Sequence, residues 1–121
     1  YDAAQKASNP RVVSDMIQAG EFAAAVESDS GKIYVGVCVD SACTLGNAQN
    51  EMLFFNDYKW GTSNPARDCR VADGKAVPPC GACRELMAQL MPEHYQDIEI
   101  MPDYEKNRVV TLGELAPEWW I

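Results

Sequence analysis

Apolar and polar positions alternate along the chain in short blocks separated by Gly, Pro, Asn and Asp. Ala3 to Ala7 reads as a short helix that stops before Asn9-Pro10, because the residue preceding a proline is driven out of the helical region. Ser14 predicts a second capped turn running to Ala19, with Gly20 as its C-terminal stop. Glu21 to Ser28 (EFAAAVES) reads as a strand of small apolar residues, Asp29-Ser30-Gly31 as a hairpin turn, and Lys32 to Val39 (KIYVGVCV) as the returning strand. A polar loop, Asp40 to Asn47, leads to a helix over Ala48 to Lys59 that ends at Gly61. Arg67 to Ala72 is a short strand, Asp73-Gly74 turns the chain, and Pro78-Pro79 holds it extended. Gly81 to Leu90 is a helix with Ala82, Leu86 and Leu90 on one face. Ile98 to Met101 and Arg108 to Val110 are strands, and Thr111-Leu-Gly-Glu114 is a capping box opening a last helix toward Trp119. The order α-β-β-α-β-α-β-β-α predicts an α/β layered fold on a mixed sheet.

The 121 residues, 47% apolar and 23% charged, suit one globular domain spanning 1–121 and exclude a disordered tail, a collagen-like chain and a coiled coil. No apolar run is long enough to span a membrane, and no basic segment precedes an apolar run at the start, so a secretory signal is not expected. With a net charge of −8 and only 10 Lys and Arg, the chain repels phosphate backbones and anionic lipid, which argues against nucleic-acid and membrane partners. The 5 cysteines, an odd number, fit reduced thiols in a cytoplasm better than a disulfide framework.

The strongest chemical signal is Pro79-Cys80-Gly81-Ala82-Cys83-Arg84. Two sulfurs three positions apart at a helix N-terminus can grip one cation from the same side, and the helix dipole favours their thiolate forms. On its own C-x-x-C leaves a zinc half-site, a redox pair or an inert pair open. The preceding proline makes it the second half of the zinc-deaminase pattern, H/C-x-E…P-C-x-x-C.

Three blocks, in order, carry a wider resemblance: Glu21 to Val39, Val71-Ala72-Asp73 with Val77-Pro78-Pro79-Cys80-Gly81-Ala82-Cys83-Arg84-Glu85-Leu86, and Thr111-Leu112-Gly113-Glu114-Leu115-Ala116-Pro117. In these the chain resembles the cytidine deaminase family. The resemblance implies a three-layer fold with a five-stranded mixed sheet and helices on both faces. It also implies a zinc cofactor, a pyrimidine nucleoside substrate and a homotetramer or homodimer. Arg84 would offset thiolate charge, and Trp119 and Trp120 would either cover a neighbour's pocket or cap the core.

The first half of the family's site departs from the pattern. Where the family carries Cys-Ala-Glu or His-Ala-Glu, this chain reads Gly46-Asn47-Ala48-Gln49-Asn50-Glu51. One register puts Ala48 at the metal ligand and Asn50 at the catalytic Glu. The next puts Gln49 at the ligand and keeps Glu51 as the proton shuttle. Alanine cannot bind zinc, a Gln carbonyl is a poor substitute for thiolate or imidazole, and Asn cannot take a proton from water. Cys43, in the loop before Ala48, offers a third sulfur beside Cys80 and Cys83. The family's Asn-x-Glu pair that holds the ribose falls on Cys38 and Asp40; Asp40 can still accept a sugar hydroxyl, whereas Cys38 donates poorly.

Two readings of function follow. The chain either binds a nucleoside-like ligand at a degenerate deaminase site with weak or no turnover, or deaminates hydrolytically with an atypical metal site. A redox use of Cys80 and Cys83 runs against Pro78-Pro79 and the whole-chain resemblance. Cys38 and Cys69 also read as buried core thiols, His94 as a solvent-exposed loop residue, and Asp57, Asp68 and Asp73 as surface or turn residues.

Overall fold

The computed structural model describes residues 1–41 and 65–120. The helix expected over Ala48 to Lys59 lies outside the described residues. Those described form α1 (Asp2–Ala7), β1 (Arg11–Ser14), β2 (Ile17–Ser28), β3 (Ile33–Ser41), β4 (Pro65–Ala72) and β5 (Lys75–Val77). The chain continues through α2 (Gly81–Leu90), a 3₁₀ turn (Tyr95–Asp97), β6 (Glu99–Asp103), β7 (Arg108–Thr111) and α3 (Leu112–Leu115).

Among the described residues the sheet has 7 strands and is mixed. β2 lies antiparallel to β1, β3 and β4, β4 is parallel to β6, and β6 is antiparallel to β7. The strands expected from the sequence are β2, β3, β4, β6 and β7, which make a continuous path across the sheet. The two additional strands are short: β1 pairs the start of β2, and β5 pairs the end of β4. The capped turn expected from Ser14 to Ala19 is instead the tip of the β1–β2 hairpin. Its Val12-Val13 pair is β-branched, and the Ser14 hydroxyl accepts the Met16 amide at 3.3 Å, closing the turn locally.

β2 is central, and its Ala23, Ala24 and Ala25 are all buried, as expected of a strand covered on both faces. Ala23 and Ala25 pack with Val71 and Ala4 under α1. Ala24 points to the opposite face, where it shares a cleft with Arg70 and the start of α2. The larger core lies between α2 and β6: Met87, Ala88, Met91, Tyr95, Ile98, Ile100 and Leu112, with Leu86 and Leu90 at its margin. The buried stripe of α2 is therefore Cys83-Met87-Ala88, and Ala82 is exposed, one position off the expected face. The capping box forms as expected: the Thr111 hydroxyl accepts the Glu114 amide at 3.2 Å, and the Thr111 amide donates to Glu114 Oε2 at 2.7 Å. The helix it opens ends at Leu115, short of Trp119.

Gly20 is not a helix stop. It sits inside β2 at φ +84°, where the register shifts, and a Cβ there would overlap the Asn9 carbonyl oxygen. That carbonyl belongs to a backbone clasp in which the Asn9 amide donates to the Gly20 carbonyl at 3.1 Å. Gly20→Ala is expected to lower unfolding free energy by about 2–4 kcal/mol, since strain and backbone overlap add. Gly31→Ala, at φ +82° but with open space around it, should cost only about 1 kcal/mol. Urea denaturation of both variants compares them, and equal losses would remove the overlap argument.

Candidate functional site

Pro78-Pro79 enters α2 extended, and Cys80 keeps that backbone (φ −68°, ψ 171°) as the N-cap residue. Gly81 begins the helix, and the first helical bond runs from the Arg84 amide to the Cys80 carbonyl at 3.0 Å. This places Cys80 at the exposed rim and Cys83 one turn inward, 1% exposed, with their sulfurs 3.2 Å apart. The two thiols and Phe22, Cys38, Arg70 and Pro78 line a cleft of about 120 Å³.

The pair is electrostatically asymmetric. Burial works to raise the Cys80 thiol, but the Cys83 amide, the Cys83 thiol, the Ala82 amide and the Arg70 guanidinium together hold it below its ordinary value. Burial lifts Cys83, opposed by Arg70 and reinforced by the charge on Cys80.

Arg70 is a residue the sequence reading missed. Arg84, expected beside the thiolates, instead donates to the Pro79 carbonyl at 2.9 Å and the Leu115 carbonyl at 3.2 Å, tying the start of α2 to α3. The cation at the sulfurs comes from β4, and Arg70 hydrogen-bonds Cys83. Arg70 is held in turn by Asp68, with Nε to Oδ2 at 3.0 Å. Asp68, read from the sequence as a solvated charge, is 3% exposed, and its burial pushes the carboxyl up to about 7. The overlooked signal was spacing. Two charges at alternate positions of one strand share a face, and on a central strand that face is covered. Asp73 is a turn residue as expected, at φ +49°, and His94 is exposed.

Cys38 is 1% exposed. Its sulfur accepts the Phe22 amide at 3.2 Å, and its thiol donates to Asp40 Oδ2 at 3.4 Å. Burial, ahead of the bond to Asp40, raises its pKa. Cys38 is thus both a core thiol and part of the cleft wall, and the half-buried Asp40 is turned toward it. Cys69 is buried beside the Tyr1 amino group and does not line this cleft. Trp119 packs on Tyr95, ring centroids 5.1 Å apart, at the edge of the α2–β6 core. Trp119 and Trp120 both donate their indole N–H to the Glu85 carboxylate, at 2.9 and 2.8 Å. Those donors, after Gln89, hold that carboxylate below its usual range.

A tetrahedral zinc with Zn–S of about 2.3 Å sets two sulfurs about 3.8 Å apart. The 3.2 Å pair at Cys80 and Cys83 reaches that by a small side-chain rotation, so these residues fit zinc as a half-site. Among the described residues no group of three or more His, Cys, Asp or Glu is placed to hold a metal. Cys43, Gln49, Asn50 and Glu51, which carry the other half in the sequence reading, lie outside the described residues.

No family model matches the chain. Among curated proteins it is similar to the cytidine deaminase of Halalkalibacterium halodurans, 35% identical over 74 residues. That match covers 60% of this chain and 56% of the relative, so the chain spans about half the relative's length. Solved cytidine deaminases share its architecture. That of Mycobacterium leprae has a TM-score of 0.68 at 23% identity, covering 97% of this chain and 93% of the other. That of Burkholderia pseudomallei has a TM-score of 0.68 at 24% identity, covering 98% and 94%. The chain carries the cytidine deaminase fold and, over the 74 residues they share, is similar in sequence to the Halalkalibacterium cytidine deaminase.

Proposed function

We propose that this chain binds a pyrimidine nucleoside in the cleft beside Cys80 and Cys83 and deaminates it weakly or not at all. The observation that carries the reading is the cleft itself: an apolar wall from Phe22 and Pro78 meets a few polar groups converging from β3, β4 and α2, the make-up of small-ligand sites. The low turnover rests on the residues at the family's ligand and Glu positions. With Ala48 and Asn50 there, the chain lacks a third strong donor and a proton shuttle. In the alternative register, Gln49 supplies a weak donor and Glu51 the shuttle. Bound zinc supplies Lewis-acid activation of water. Cys80 and Cys83 would hold it, and Asp40 would accept a sugar hydroxyl. A small-molecule ligand, a cytoplasmic setting that keeps thiols reduced, and a homotetramer or homodimer belong to the same proposal. Among the described residues no helix is long and apolar enough to cross a membrane.

The intact sulfur pair favours a second reading, an active hydrolytic deaminase whose third ligand is Cys43 or Gln49. Zinc per chain in protein purified without added metal, measured with calorimetric titration of cytidine and deoxycytidine, separates the two. The first reading expects saturable nucleoside binding, zinc well below one per chain and little ammonia release. One zinc per chain, lost in Cys80→Ala, together with turnover, would establish the second. Absence of binding by both nucleosides would overturn both.

A further inference from the structure

Among the described residues, Arg70 is the one charged side chain that lines the cleft. A guanidinium offers N–H donors and no acceptor, so whatever meets it there must accept. Its orientation is fixed from behind. β4 puts Asp68 and Arg70 on one face, Asp68 Oδ2 accepts from Arg70 Nε at 3.0 Å, and the Arg70 side chain is 11% exposed. Its other end reaches Cys83, at the sulfur end of the cleft. Side chains that could accept from a ligand are poorly supplied. Neither Asp68 nor Asp40 lines the cleft, Asp40 is turned to Cys38, and thiol sulfurs accept weakly. Phe22, Ala24, Val77 and Pro78 make the remaining wall apolar. The sulfur end is therefore a braced donor in an apolar setting, and its complement is an acceptor.

Resting on the reading that a pyrimidine nucleoside enters this cleft with C4 toward Cys80 and Cys83, we propose that Arg70 makes the site selective for 4-oxo, uridine-type nucleosides over 4-amino, cytidine-type ones. The two classes differ at the atom that meets Arg70. A 4-oxo group is an acceptor and takes the guanidinium N–H directly. A 4-amino group presents N–H bonds, and its nitrogen lone pair is drawn into the ring. Set against a guanidinium it places donor against donor and leaves buried N–H groups unpaired, the most unfavourable way to lose a hydrogen bond. Cytidine N3 does accept, but it lies one ring position away, and the Asp68 brace keeps the guanidinium from following it. Arg70 is thus the specificity-determining residue and Asp68 its positioning residue. The selectivity suits a chain of little turnover, because its preferred ligand has no amino group left to lose.

The test is calorimetric titration of the full chain, as purified, with uridine and with cytidine. Uridine should bind about 10–100-fold more tightly, the range set by one hydrogen bond to a charged donor. Arg70→Gln puts an amide, which both donates and accepts, at the same place and should bring the two affinities together. The double variant Asp68→Leu with Arg70→Met removes both members of the pair, leaves no buried charge behind, and should lose the preference in the same way. Circular dichroism checks that each variant folds, and the unaltered chain tests the preference by itself. Equal affinities, or tighter cytidine, in the unaltered chain would overturn the selectivity while leaving nucleoside binding in place. A uridine preference that persists in a folded Arg70 variant would overturn the role of Arg70. Failure of both nucleosides to bind would overturn the underlying reading and the selectivity with it.

Discussion

Restoring both family residues, Ala48→Cys with Asn50→Glu, is expected to raise cytidine deamination at least 10²–10⁴-fold, the usual contribution of a positioned general acid–base (about 3–5 kcal/mol of barrier). The same variant should bring zinc to about one per chain, because a third thiolate completes the half-site of Cys80 and Cys83. Each single substitution supplies only one of two interdependent parts. Ala48→Cys alone binds metal but moves no proton, and Asn50→Glu alone has no activated water to serve. The double variant should therefore exceed the product of the two singles. Ammonia release and elemental analysis read the two effects separately. A double variant that binds zinc and gains no rate would place the proton shuttle elsewhere. Glu51→Gln in the otherwise unaltered chain examines that case: if it lowers a measurable rate, the register with Gln49 as ligand and Glu51 as shuttle is correct.

The parts of the fold legible in the sequence are those fixed by local chemistry. The helix Gly81–Leu90 follows from a proline entry and a regular apolar face, and the Thr111–Glu114 box from a reciprocal pair of bonds. The Asp29-Ser30-Gly31 turn similarly follows from a glycine at φ +82°. The hairpin at Ser14–Ile17 was missed because Ser14 and Gly20 also mark a helix start and stop. What decides between the two readings is the non-local clasp of Asn9 on Gly20, and no spacing rule contains it. At the site, Cys80 and Cys83 were visible because their spacing along the chain is itself the motif. Arg70 and Asp68 were not, because their role depends on which strand lies at the centre of the sheet and which element covers it.

Asp68 carries the second large effect. Asp68→Ala leaves the Arg70 guanidinium, its side chain 11% exposed, without its carboxylate brace, and loss of one partner of a buried pair costs about 3–5 kcal/mol. Asp68→Asn keeps an acceptor for Arg70 Nε and avoids burying a carboxylate, so its loss should be much smaller. The two variants separate further with pH. The folded-state pKa of Asp68 is raised from 3.8 to about 7, so between those values the folded chain holds a proton that the unfolded chain has released. Stability then falls as pH rises through that window and levels off above it, the opposite of an ordinary salt-bridged carboxylate. Arg70 opposes this by favouring the charged form, which limits the loss to a few kcal/mol. Urea midpoints measured from pH 4 to pH 8 should decline for the unaltered chain relative to Asp68→Asn, which lacks the titrating group and should be at least as stable at pH 8. Parallel curves for the two proteins would mean that Arg70 holds Asp68 ionised throughout and that the pair is a fixed strut beneath the thiols. A declining curve would mean that the charge set beside Cys80 and Cys83 changes by one unit near neutral pH, with the protonated Asp68 still accepting from Arg70 Nε but no longer offsetting its charge.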